Sequence, residues 1–249
     1  MDRQTRRGLL IAVGGLTATV AAVGDRRSSP WGYSVAADPD GDTDDTRLRV
    51  AWYTRYDGVV TTQDGSVDAE TALDPDQTPA YREEAASAVV TVGNVVPGDD
   101  GRLAIGLLAA DRPNDDEGVA VWLRPSLTES ENGVTDPEAA ASDEGPGGEL
   151  GAALETVVWR DDGLVGACDG TQGIDEPTVA EGSLRGTVAA LSDGYRVADC
   201  LSQGSRVCLG LSWSLPADVG DYVQTDEARL DLVFAGVPCG SPNPFGGSP

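Results

Sequence analysis

The sequence predicts an all-β fold with minor α content: an antiparallel β-sandwich carrying one or two short helices in its connections. Three observations lead there. Apolar residues recur at every second position in several short runs, the period of a half-buried strand. Turn-forming clusters rich in Gly, Pro and Asp separate those runs. Residues with helical spacing are confined to two brief segments.

Taken in order, Leu48, Val50, Trp52, Thr54 and Tyr56 share one face of a first strand, with Arg47, Arg49 and Arg55 on the other. Val89 to Val96 is the next, ended by Pro97-Gly98-Asp99-Asp100-Gly101, where Pro pre-sets φ and Gly tolerates positive φ. Leu103, Ile105 and Leu107 alternate on the returning strand, and Val119, Val121 and Leu123 on the one after it. Ser126 to Gly148 reads as a long acidic excursion. A short helix is expected within Glu149 to Val158, with Leu150, Leu154 and Val157 on its stripe, and a second over Ser183 to Leu191 with Ser183 as N-cap. Val207, Leu209, Leu211, Trp213 and Leu215 give the clearest alternation, and Leu230, Leu232 and Phe234 close the fold. Trp52, Trp122, Trp159 and Trp213 fall in or beside these strands and are expected to pack in the core. The expected organisation is a signal over 1–24, an acidic linker over 25–46, a sandwich over 47–236 and a Gly/Pro/Ser tail over 237–249.

Composition excludes whole classes of chemistry. Among 249 residues Asp and Glu number 42 against 17 cations, a net charge of −25, and every cation is Arg. The absence of His removes Ser-His-Asp and Cys-His triads, His-ligated zinc and imidazole acid–base catalysis. So acidic a surface offers phosphate no basic patch, so nucleic acid is not an expected partner. Concentrated salt screens the mutual repulsion of the carboxylates, and the charge excess together with the lack of Lys reads as adaptation to a saline medium.

The N-terminus reads as an export address. Arg3, Arg6 and Arg7 precede an apolar stretch from Leu9 to Val23, too short for a stable span, and Thr5-Arg6-Arg7-Gly8-Leu9-Leu10 is of twin-arginine type. The competing reading is an uncleaved anchor; the expectation adopted is removal of the signal with no lasting membrane insertion. Either reading places the mature domain outside the cytoplasm. Four cysteines in an exported chain favour two disulfides from three connectivities. Cys200 and Cys208 are close and flank a turn, so they are expected to pair, leaving Cys168 with Cys239 by elimination only.

Asp38, Asp40, Asp42 and Asp44 alternate in DPDGDTDD, the kind of spaced carboxylate array that Ca²⁺ takes as ligands. The EF-hand pattern fails, since Gly41 comes too early and Arg49 stands at the place of the bidentate Glu. A solvated linker is the favoured reading, and the same holds for Asp161, Asp162 and Asp169. No cofactor is implied, with Ca²⁺ as the one ion these carboxylates could take. Paired carboxylates could run glycoside hydrolysis, but with 42 acids any pair can be chosen and none is singled out as catalytic.

Several strings resemble the TasA/camelysin-like family, in its haloarchaeal secreted branch with a SipW-dependent-type signal peptide. They are VVPGDDGRLAIGLL (Val95 to Leu108), SENGVTDPEAAASDEGPGGEL (Ser130 to Leu150), VVWRDDG (Val157 to Gly163), GSLRG (Gly182 to Gly186) and WSLPADVGDYVQTDEARLDLVFAG (Trp213 to Gly236). The resemblance implies a jelly-roll-like sandwich and a secreted, self-associating subunit of extracellular fibres or biofilm matrix, whose partners are its own copies or related matrix subunits. It further implies that a segment near the mature N-terminus is donated as a strand to the next subunit. Trp31 to Ala36 is the only apolar run in the linker, with Trp31, Tyr33 and Val35 on one face. The metalloprotease label of camelysin does not carry over, because the chain has no H-E-x-x-H. The alternatives are a monomeric calcium- or glycan-binding surface module and, behind it, a secreted hydrolase.

Overall fold

The computed structural model describes residues 31–36, 48–56, 59–61, 87–109, 118–131, 135, 136, 138, 148–162 and 168–246. Its strands are β1 (Trp31–Ala36), β2 (Leu48–Tyr56), β3 (Val59–Thr61), β4 (Ser87–Gly93), β5 (Asp100–Ala109), β6 (Val119–Glu131), β7 (Glu155–Arg160), β8 (Thr178–Ser183), β9 (Tyr195–Leu201), β10 (Arg206–Ser214) and β11 (Asp226–Pro238). Two short helices, α1 (Leu150–Ala153) and α2 (Leu184–Leu191), precede β7 and β9.

The strands form two antiparallel sheets, one in the order β1-β4-β11-β6-β9 and the other β3-β2-β5-β10-β7-β8. From β4 onward each strand pairs with its mirror image in the sequence: β4 with β11, β5 with β10, β6 with β9 and β7 with β8. The chain is thus one long hairpin folded over on itself, with its turn between β7 and β8. Of the seven connections joining these eight strands, six pass from one sheet to the other and that from β7 to β8 stays within one, which is the jelly-roll arrangement. The strands β1, β2 and β3 extend this eight-stranded unit at the β4 and β5 edges.

Alternation places the core between the sheets. Val50, Leu103, Ile105, Leu107, Val207, Leu209, Leu211 and Trp213 from one sheet meet Val90, Val92, Val121, Leu123, Leu230, Leu232 and Phe234 from the other. Midway along β5 and β10 outward-facing residues are buried too, and Ala51, Tyr53, Ala104, Leu108 and Cys208 form a separate small cluster there. Trp122, Trp159 and Trp213 are buried and Trp52 is half-buried, as their strand positions require.

The first expected helix is shorter than its apolar spacing suggested. It spans Leu150–Ala153, and Thr156, Val157 and Val158 belong to β7, paired with β10. These β-branched residues lose little in a strand and gain cross-strand neighbours there. The second forms as expected, with the Ser183 hydroxyl accepting from Gly186 N–H. β6 continues through Pro125 to Glu131, into the segment expected to be an excursion. Pro125 lies beyond the last pairing with β9, Leu123 with Tyr195, where a missing N–H costs no ladder bond on that side.

The disulfides also differ from expectation: Cys168 joins Cys208, and Cys200 joins Cys239. The reason is topological. Cys200 in β9 and Cys208 in β10 are close in sequence but belong to opposite sheets. Each bridge instead spans Cα atoms 5.4 and 5.2 Å apart, within the reach of a disulfide. The second bridge ties β9 to the end of β11 across Gly118, where a Cβ would stand 2.6 Å from the Cys200 sulfur. Beyond it the Gly/Pro/Ser tail folds back: Asn243 donates to the Asp193 carbonyl, and Phe245 lies under the Arg124 guanidinium.

Candidate functional site

Two places in the fold bear on function: the edge of the five-stranded sheet, and a set of carboxylates that the fold has drawn out of solvent.

At the edge, β1 pairs antiparallel with β4 of the same chain, in the register Trp31 to Val92, Tyr33 to Val90 and Val35 to Ala88. Among the described residues β1 is the terminal strand of that sheet, with β4 as its one strand neighbour. The donor candidates Trp31, Tyr33 and Val35 are therefore in a strand, laid on their own chain. On its other side β4 pairs with β11, from Glu227 opposite Gly93 to Val233 opposite Ser87.

The acidic residues divide into two populations. Asp38, Asp40, Asp42 and Asp44 lie outside the described residues. Among the described residues, no group of three Asp, Glu or Cys side chains is placed to hold a metal ion. Five carboxylates are nevertheless buried: Asp99, Glu138, Asp161, Glu176 and Asp226. The expectation that Asp161 is a solvating surface residue is thereby corrected. Each of the five accepts backbone N–H groups that the strands and helices leave unpaired. Asp99 takes Val96 N–H in the β4–β5 turn, and Glu176 takes Gly173 N–H. Asp226 takes Leu150 N–H at 3.0 Å and also Glu149 N–H, while Glu129 takes Gly151 N–H at 2.8 Å and pairs with Arg185. The orphan donors at the start of α1 are thus met by acids from β6 and β11.

Glu138 is the most heavily used. One carboxylate oxygen accepts from Thr225 N–H at 2.7 Å and from the Thr225 hydroxyl at 2.8 Å, and the other accepts from Thr135 N–H. Burial pushes its carboxyl up, but the bonds from Thr135 and Thr225 outweigh it and hold the carboxyl below its ordinary range.

Asp161 is the opposite case. Burial, helped by the nearby Glu176 and Asp169 charges, pushes it up to about 7 against the backbone N–H groups of Gly170 and Asp169, which favour the charge. Above it Tyr53 is buried, and its phenol is raised by that burial although Arg55 acts against the shift. No sequence signal separates Asp161 from the exposed Asp162 beside it; only the strand's alternation, continued one residue past Arg160, turns it to the covered face.

Inside the sandwich a cavity of about 20 Å³ lies beneath α2, walled by Ile105, Leu123, Val158, Val188, Leu209 and Leu230 among others. That is room for about one water molecule and no organic ligand. Comparison with models of known families, with curated proteins and with solved structures gives no match to this chain. The fold and its two disulfides therefore carry the argument. Paired cysteines throughout the described chain mark a protein that matures in an oxidising compartment.

Proposed function

We propose that the protein is a secreted structural subunit that associates with its own copies at the cell surface or in an extracellular matrix, by exchange of β1 between neighbouring β4 edges. The observation that carries this reading is the position of β1: a strand six residues long that precedes the sandwich and, among the described residues, lies at the end of a sheet and pairs with β4 alone. The ladder it forms with β4 is made of main-chain bonds, and the identical segment of another copy can make the same ladder. Donation from one copy to the next is a head-to-tail contact that does not close, and its product is a filament. The resemblance of the sequence to the TasA/camelysin-like family supports the same reading, and it assigns no catalytic residue.

Two single-cysteine variants test it. Ser34 and Val89 are partners in the β1–β4 register. Ser34→Cys protein and Val89→Cys protein are mixed in molar salt, assembled and oxidised. Exchange in trans yields a disulfide-linked heterodimer on a non-reducing gel. If the mixture stays monomeric while a Ser34→Cys, Val89→Cys double variant closes within one chain, the strand belongs to its own subunit and the proposal fails.

A further inference from the structure

Asp161 is wholly buried just past the end of β7, on the face of the six-stranded sheet that bears Tyr53 and Ala104. Its carbonyl and side chain hold one loop at two points, and its N–H ties it to β10. Asp161 N–H donates to the Cys208 carbonyl at 3.0 Å, and Cys168 N–H donates to the Asp161 carbonyl at 2.8 Å. Gly170 N–H donates to Oδ2 at 2.7 Å, and the Cys168–Cys208 disulfide ties the same loop to β10. The other carboxyl oxygen, Oδ1, is buried and accepts no hydrogen bond.

Gly170 is pressed onto the sheet at this point. Its φ is +68°, and a Cβ there would stand 2.9 Å from the Tyr53 hydroxyl and 3.1 Å from the Ala104 Cβ. The side-chain bond to Asp161 seats Gly170 on the Tyr53–Ala104 surface, beside the disulfide and the Arg102 guanidinium of β5, which donates to the Thr171 hydroxyl of the same loop. The ionisable groups around it do not favour a charge. Asp169 and Glu176 face the carboxyl from the loop as like charges, and Tyr53 faces it from β2. On its own element Arg160 is engaged with Asp162, and Arg55 lies over the Tyr53 ring.

We propose that Asp161 is a proton-operated latch: the uncharged carboxyl keeps the 168–171 loop seated on Tyr53 and Ala104, and loss of its proton to solvent lets the loop lift while the disulfide keeps it tethered. The thermodynamic direction is fixed by linkage. The closed carboxyl titrates at about 7, whereas an open, hydrated one returns toward 3.8. The open form then binds fewer protons, so the opening constant rises about tenfold per pH unit between those values and levels off above the upper one. The latch is tightest in acid and loosest from neutrality upward.

Amide hydrogen exchange at Gly170, whose N–H is bonded to the Asp161 carboxyl, reads this directly in the full chain, in molar salt, after correction for intrinsic exchange. From about pH 5.5 to about 7 protection falls about tenfold per unit, then stays level to about pH 8.5. Asp161→Asn, uncharged throughout, holds a flat profile. Asp169→Asn removes one neighbouring charge and moves the break in the wild-type profile to lower pH. A flat wild-type profile, or a slope that persists in Asp161→Asn, overturns the latch. So does a break that ignores Asp169→Asn, and the two pH profiles of wild type and Asp169→Asn decide the matter even where Asp161→Asn does not fold.

Discussion

Replacing Glu138 tests whether the acidic excursion is part of the folded unit. Its side chain is fully buried and receives three donors, two from Thr225 and one from Thr135. A hydrogen bond to a charged group contributes about 1.5–3 kcal/mol, and the three share one carboxylate, so their sum is not reached. Glu138→Ala strands those donors and is expected to cost about 3–4 kcal/mol. At about 2–4 °C per kcal/mol for a chain of this size, the melting temperature falls by roughly 6–16 °C. Glu138→Gln keeps the shape but turns an N–H₂ toward donors on one side, and loses about half as much. The pH dependence has a definite sign. The folded carboxyl lies below its ordinary value, so its contribution is full above that value and is lost as pH falls through the folded one. Thermal melts followed by tryptophan fluorescence, in molar salt at neutral pH and again at about pH 3, check both effects. Equal melting temperatures for wild type and Glu138→Ala at neutral pH would refute the clamp.

Two other perturbations follow from the packing and the charge. Gly210→Ala places a Cβ 2.0 Å from the Trp159 ring carbons, and because Trp159 is itself buried the substitution should cost about 1–3 kcal/mol; an unchanged guanidinium unfolding midpoint would contradict that packing. Lowering salt from molar to 0.1 M lengthens the screening distance from about 3 to about 10 Å and restores repulsion within a chain of net charge −25, so the melting temperature should drop; a melt independent of salt over that range would count against the saline reading.

The sandwich was legible because its central strands are half-buried in the simplest way. Leu103, Ile105 and Leu107, and Val207 through Trp213, alternate cleanly and face one core. The edges were not legible for the same physical reason. β8, with Thr178, Glu181 and Gly182, is largely exposed and has no buried face to impose a period, and β9 buries Val197 alone. The disulfide pairing is not legible because proximity along the chain is not proximity in space: Cys200 and Cys208 lie on successive strands that change sheets. Buried acids were hidden by number. In a chain where acids are a default surface residue, nothing local distinguishes Glu138 or Asp226 from its solvated neighbours; the distinction arises when β11 and the preceding turn present Thr225 N–H and the β11 start faces α1.

The two populations of acids respond to different variables, and that separates salt from pH as controls on this fold. Surface carboxylates interact over distances comparable to the screening length, so added salt acts on them directly. The buried ones are satisfied by N–H donors at 2.7 to 3.0 Å, well inside any screening length, so salt scarcely reaches them while protons do. Within that buried set the signs oppose each other. Glu138 stabilises as its charged form, because the bonds from Thr135 and Thr225 outweigh its burial; Asp161 is stable as its neutral form, because the N–H groups of Gly170 and Asp169 do not offset burial beside two other acids. Between about pH 4 and 7 a fall in pH therefore tightens the Cys168–Cys208 loop, and only at the acid end does it weaken the Glu138 clamp. Salt therefore acts on the surface set, and pH on the acid-pinned segments.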